Sequence, residues 1–243
     1  MTWQTYIANL TTILFLTTNP FLLVENTQYK PQEDLESPPT TKAGKTRDSK
    51  KCPQDDDYPN GLSLTALIPN PEIDKNKVQL TVAKSPQIFM YVPPTSAELM
   101  QILIKKEDGV TDIYRTEPIN IPAKSGVIAI SIPEAEAKLE IGKNYRWIIR
   151  VICNPKKRRD DLVASGWLRR IEPNSNLADR LKNAEKNEYP SIYASNGIWL
   201  DAVKNLAELR LAEPDNLELE NDWQELLESA GLNDLVEAPL LGE

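Results

Sequence analysis

The sequence predicts a mainly β unit of the immunoglobulin or fibronectin-III-like sandwich class, followed by a short tetratricopeptide-like helical tail. Three observations carry that expectation. Strand-length apolar runs alternate with turn signals through residues 61–173, the hydrophobic period switches from two to helical near Ser175, and Leu139, Gly142 and Tyr145 have the spacing of a tyrosine corner just ahead of the longest alternating run. With 243 residues the chain has room for two small units, each with its own core.

Residues 1–25 open the chain with an apolar run at 6–24 that is densest at 13–16 and has the outline of a secretory signal peptide. It departs from that pattern because no Lys or Arg precedes Lys30 and no small-x-small cleavage site follows. Its Thr and Asn residues and Pro20 make it a poor permanent span, so no stable membrane span is expected. Residues 26–60 are dominated by Pro, Lys, Asp, Ser, Thr and Gln, a composition that cannot bury enough apolar surface to offset its ordering entropy, and a disordered linker is the expectation.

Strands are expected at 62–68, 78–83, 88–92, 98–106, 113–119, 127–132, 145–153 and 165–171, with Asp108 and Gly109 marking a hairpin where φ > 0 comes cheaply. In NYRWIIRVIC, strict alternation puts Tyr145, Trp147, Ile149, Val151 and Cys153 on one face, while Arg146 and Arg150 share the other with Ile148 and Ile152. Apolar residues on the arginine face need a cover, and the helical tail is the expected one. Tyr145 is expected to hydrogen-bond backbone across its corner.

From residue 174 to 243 the pattern is helical. A first helix is expected at 177–186, resuming after Pro190 through Tyr193, with Pro190 as the break. Trp199, Ala202, Val203, Leu206 and Leu209 form one apolar stripe; Leu219, Trp223, Leu226, Leu227 and Ala230 form a second, closed by Gly231 as C-cap. Pro214 separates them, with Asp215 or Asn216 as N-cap. The stretch NGIWLDAVKNLAELRLAEPDN follows the second half of a tetratricopeptide unit, but fewer than three such repeats seldom fold alone. The tail is therefore expected to lean on its own sandwich or to offer Tyr193, Trp199 and Trp223 to another protein.

Composition narrows the function classes. The formal net charge of −8 argues against nucleic acid as a partner, because that affinity comes mainly from Lys and Arg neutralising phosphates. The chain has no histidine, which removes the commonest acid/base group, the commonest metal ligand and every Ser-His or Cys-His pair. No paired carboxylates in apolar sequence, phosphate loop or nucleophile elbow stands out, so no catalytic residue and no cofactor is assigned. The acidic run Asp55, Asp56 and Asp57 lacks the alternating spacing of a calcium loop and reads as solvated linker, so no metal is assigned. Two cysteines, Cys52 and Cys153, suit either one disulfide or two free thiols. Lys156, Lys157, Arg158 and Arg159 form a basic run between the last two expected strands, a candidate binding loop for an anionic polysaccharide or a lipid headgroup. Trp147 and Trp167 are read as core rather than as a sugar-stacking platform.

Six blocks, GLSLTALIPN at 61–70, IFMYVPP at 88–94, VIAISIP at 127–133, GKNYRWIIRVICNP at 142–155, GWLRRIE at 166–172 and YASNGIWLDAVKNLAELR at 193–210, resemble in order and spacing the cyanobacterial domain of unknown function 928 (DUF928) family. The resemblance implies an exported envelope protein with a bond between Cys52 and Cys153, and it brings no reaction with it. The expected function is that of a non-catalytic interaction or accessory protein whose partner is an envelope protein or polysaccharide. The alternatives are a carbohydrate-binding module for envelope polysaccharide and a histidine-free hydrolase.

Overall fold

The computed structural model describes residues 26–33, 35, 38, 51–58 and 61–242; the signal-like segment and about half of the linker lie outside the described residues. Among the described residues nine strands run in chain order as β1 (Thr65–Ala66), β2 (Val78–Thr81), β3 (Gln87–Val92), β4 (Leu99–Lys106), β5 (Asp112–Arg115), β6 (Ile119–Asn120), β7 (Gly126–Ser131), β8 (Asn144–Val151) and β9 (Leu162–Arg170). They form a three-stranded sheet, β1-β3-β7, and a six-stranded sheet, β2-β9-β8-β4-β5, in which β6 also pairs with β4. All pairings are antiparallel except β2 with β9, which is parallel, so the larger sheet is mixed. The β4–β5 hairpin turns at the expected place: Gly109 has φ +69°, and Asp108 Oδ1 accepts the Val110 and Thr111 amides.

Both sheets feed one core. Ile88, Met90 and Val92 of β3, Ile102 and Ile104 of β4, and Tyr145, Trp147, Ile149 and Val151 of β8 belong to a single buried cluster. Trp147 lies over Gly166, its antiparallel neighbour on β9, where an added Cβ would come within 2.4 Å of the indole; only glycine leaves room for that ring. Tyr145 Oη accepts the Glu140 amide at 3.0 Å, fixing the turn into β8.

Four helices follow: α1 (Ser175–Asn183), α2 (Tyr189–Ser195), α3 (Trp199–Ala212) and α4 (Leu217–Ser229). Pro190 sits in the first turn of α2, where its missing N–H costs nothing, so it starts a helix after the break instead of kinking a longer one. Asn216 caps α4 by accepting the Glu218 and Leu219 amides, and Gly231 ends that helix at φ +73°. α3 packs on both β2 and β3 and so bridges the two sheets. Trp199 Nε1 donates to the Leu67 carbonyl at 2.8 Å, and the Asp201 carboxylate accepts the Thr81 hydroxyl and the Val82 amide at the end of β2. Beyond α4 the chain returns to the smaller sheet, where Val127 of β7 donates to Pro239 and accepts from Leu241, covering that edge.

The architecture is therefore a mixed β-sheet domain followed by a C-terminal helical bundle. Among the described residues no closed sandwich or barrel forms, and the parallel β2–β9 pair departs from the all-antiparallel arrangement expected of an immunoglobulin-like unit.

Two expectations change. Residues 26–33 are not a free linker: they form a strap fastened across the helices. Tyr29 is buried against Trp199 in an edge-to-face contact, its hydroxyl donates to Asp74 at 2.7 Å, and its amide donates to Ser229 Oγ. Thr27 hydrogen-bonds the Asp222 carboxylate, the Lys30 amide donates to the Ala194 carbonyl, and Gln32 Nε2 donates to the Asn196 carbonyl. Secondly, the helices cover the smaller sheet and the β2 edge rather than the arginine face of β8, which leaves that face to its own side chains and a loop.

Candidate functional site

The outer face of the six-stranded sheet is built by the alternation of β8. Arg146, Ile148 and Arg150 point away from the core and stand opposite Trp167, Ser165 and Val163 of β9 and Lys105, Leu103 and Gln101 of β4. Ile148 stays buried although the tail helices pack chiefly on β2 and β3, and with Val163 it lines a cleft of about 400 Å³. Arg146 and Arg150 line it too, both half-buried, their long side chains covering apolar surface, and Arg146 Nη2 donates to Ser165 Oγ at 3.4 Å.

The loop after β8 completes the cleft. A short 3-10 turn, Arg158–Asp160, folds back beside the strand and adds Arg158 and Arg159 to the lining. Asp161 follows, only 1% exposed, and its Oδ2 accepts from Arg158 Nε at 2.7 Å. Asp161 Oδ1 and Arg150 Nε are both enclosed without a hydrogen-bond partner. Lys157 is tied to Asp160 at 2.8 Å, while Lys156 and Lys157 both stay outside the lining. On the same face, Asp112 binds both Lys105 and Arg115, so those two cations share one carboxylate.

Of the basic run singled out in the sequence, then, Arg158 and Arg159 reach the cleft and Lys156 and Lys157 do not. Arg146 and Arg150, which complete it, were visible in the alternation of β8 but were assigned a helical cover. Trp147 is fully buried in the core with its Nε1 directed at Gln79 Oε1, 3.5 Å away, and Trp167 is buried on the outer face without lining the cleft.

The helical candidates are interior. Trp199 and Trp223 are buried, the second beneath the Arg210 guanidinium at 5.3 Å from its ring, so neither offers a surface to a partner. Tyr193 is half-buried against Tyr189, and burial, helped by the nearby Asp201 carboxylate, pushes its hydroxyl up to about 12.

Cys52 and Cys153 are joined in a disulfide with Cα atoms 5.4 Å apart. Asp55, just beyond Cys52, accepts the Thr95 and Ser96 hydroxyls and the Ser96 amide, and Asp57 pairs with Lys51. Although partial burial works the other way, those hydrogen bonds from Ser96 and Thr95 hold the Asp55 carboxyl below its ordinary range. The acidic run thus clamps the disulfide segment to the turn before β4. Among the described residues no group of three or more Asp, Glu or Cys side chains is placed to hold a metal ion, and no helix is long and apolar enough to cross a membrane.

What the cleft can do chemically follows from its donors: it presents guanidinium groups beside apolar side chains, an arrangement suited to holding an anion against the sheet. Neither curated proteins nor solved structures include a match to this chain. The model of one family, described as Domain of Unknown Function (DUF928), matches residues 42–240, most of the chain, and the protein is a member of that family.

Proposed function

We propose that the protein is a non-catalytic, exported accessory module that binds an acidic polysaccharide of the cell envelope through the arginine cleft. The observation that carries this is one of contrast. In a chain of net charge −8, four arginines converge on a single cleft with one carboxylate among them. Arg158 already meets Asp161 and Arg159 lies 3.8 Å from Asp160, so Arg146 and Arg150 are the guanidinium groups that a bound anion would meet. The open, sheet-borne shape suits an extended chain, and the Cys52–Cys153 disulfide supports an oxidising compartment. The tyrosine hydroxyl at the β8 corner supports an immunoglobulin-like reading of the sheet unit, and the α2–α3 turn at Gly197 a tetratricopeptide-like reading of the tail.

The test is binding of the oxidised protein to immobilised polygalacturonate, with neutral dextran as control. The native protein binds the polyanion, binding weakens as salt is raised, and the double variant R146A/R150A binds at least about tenfold more weakly. Equal retention on dextran, or unchanged binding by the double variant, overturns the assignment.

A further inference from the structure

The cleft carries a second message, about which anion it takes. Asp161 is interior, and a buried carboxylate oxygen without a donor is a rare thing in a folded protein, since leaving it unmet costs about 1–3 kcal/mol. Its other oxygen is held by Arg158, so Asp161 is fixed in place and cannot swing out to water. Arg150 Nε, a donor without an acceptor, lies in the lining of the same cleft. The site therefore lacks one donor and one acceptor at once.

A bare polyanion can meet only half of that need. Polyphosphate offers acceptors throughout, and it brings negative charge towards Asp161, where a like charge is costly away from water. A sugar acid offers both halves: a planar carboxylate for the guanidinium groups, and ring hydroxyls that donate. Arg158 and Arg159 in the lining have side chains 40% and 76% exposed, so the loop side of the cleft is open to a ligand.

Resting on the polysaccharide reading above, we propose that the cleft selects a uronate, its carboxylate on Arg146 and Arg150 and a ring hydroxyl donated to Asp161 Oδ1, which makes Asp161 the residue that discriminates sugar acids from bare polyanions. Ile148 and Val163, in the lining, give the sugar ring an apolar surface to rest on.

Three probes are titrated against the oxidised full-length protein by calorimetry at one salt concentration: polygalacturonate, O-acetylated polygalacturonate and polyphosphate. Native protein binds polygalacturonate about tenfold more tightly than either of the others. In Asp161→Asn the advantage over polyphosphate shrinks to about twofold, because the like charge is gone. Polyphosphate bound as tightly as polygalacturonate by the native protein overturns the inference and leaves the polysaccharide reading intact; a preference that survives Asp161→Asn overturns the role of Asp161. If that variant does not fold, the acetylated probe decides on the native protein alone, since blocking the hydroxyls must cost the same tenfold. Binding of none of the three overturns the polysaccharide reading itself.

Discussion

Asp201 is the residue whose chemistry departs most from its surroundings. It is a carboxylate at the start of α3, buried where that helix meets the end of β2, and burial outweighs the Thr81 hydroxyl and Val82 amide to push it up to about 6. A carboxyl raised in the folded state binds its proton more tightly there than in the unfolded chain. Its contribution to stability is therefore full below about pH 4 and is lost as pH rises through about 6, a change of about 3 kcal/mol. Asp201→Asn keeps an acceptor for the Val82 amide and has no charge to bury. Urea midpoints of the variant and the native protein, compared at pH 4 and pH 7, move in the variant's favour by that amount at the higher pH. A difference that stays constant between the two pH values removes burial as the cause. The sequence places Asp201 on α3 next to the apolar stripe, but says nothing of the strand end that encloses it, because Thr81 and Asp201 are brought together only by tertiary packing.

At the level of elements, the strap shows where local composition misleads. Residues 26–33 contain a single aromatic side chain in a polar setting, and nothing in their pattern separates them from a disordered tether. Tyr29 is their one aromatic anchor, because Trp199, Ser229 and Asp74 from three distant parts of the chain form its pocket. Tyr29→Ala is expected to cost about 3 kcal/mol in urea denaturation, whereas Tyr29→Phe, which loses only the bond to Asp74, costs about 1 kcal/mol. Equal and negligible effects of the two would show that the strap is not part of the cooperative fold. The places of the strands, by contrast, are legible, since alternation and turn chemistry are local, although the expected 62–68 shrinks to the two residues of β1 and the expected 113–119 splits into β5 and β6. Their partners are not: β2 and β9 lie far apart in sequence, and their parallel pairing is specified by no short-range signal. The cleft shares this divided character. Its arginines on β8 and in the following loop are each evident in the sequence, while the absence of a helix above them depends on where the tail docks.

For the whole molecule, the disulfide closes a loop of 101 residues that includes β1 to β8. In the chain-entropy account, opening it releases about 4–5 kcal/mol of constraint on the unfolded state. Denaturation in the presence and absence of a reductant is expected to separate the two forms by that amount, with the Asp55 clamp loosening in the reduced protein as read by hydrogen exchange at Ser96. Identical midpoints would mean that the strap and the helices already hold the N-terminal side as firmly as the covalent bond does. The helical bundle contributes to the same unity, because α3 spans both sheets and the segment after α4 closes the β7 edge; sheet domain and helices share one core.

Mechanical load gives the disulfide a further meaning. A pull on the N-terminal side first meets the strap, which is held by hydrogen bonds and one aromatic ring and can peel away. The force then arrives at Cys52 and crosses the sulfur bridge directly to Cys153, two residues beyond the end of β8. That strand is hydrogen-bonded along its length to β4 on one side and β9 on the other. Tension is thus delivered to the middle of the larger sheet, and the shorter β1-β3-β7 sheet is left out of the path: the molecule is wired so that the strap hangs from a strand paired on both sides.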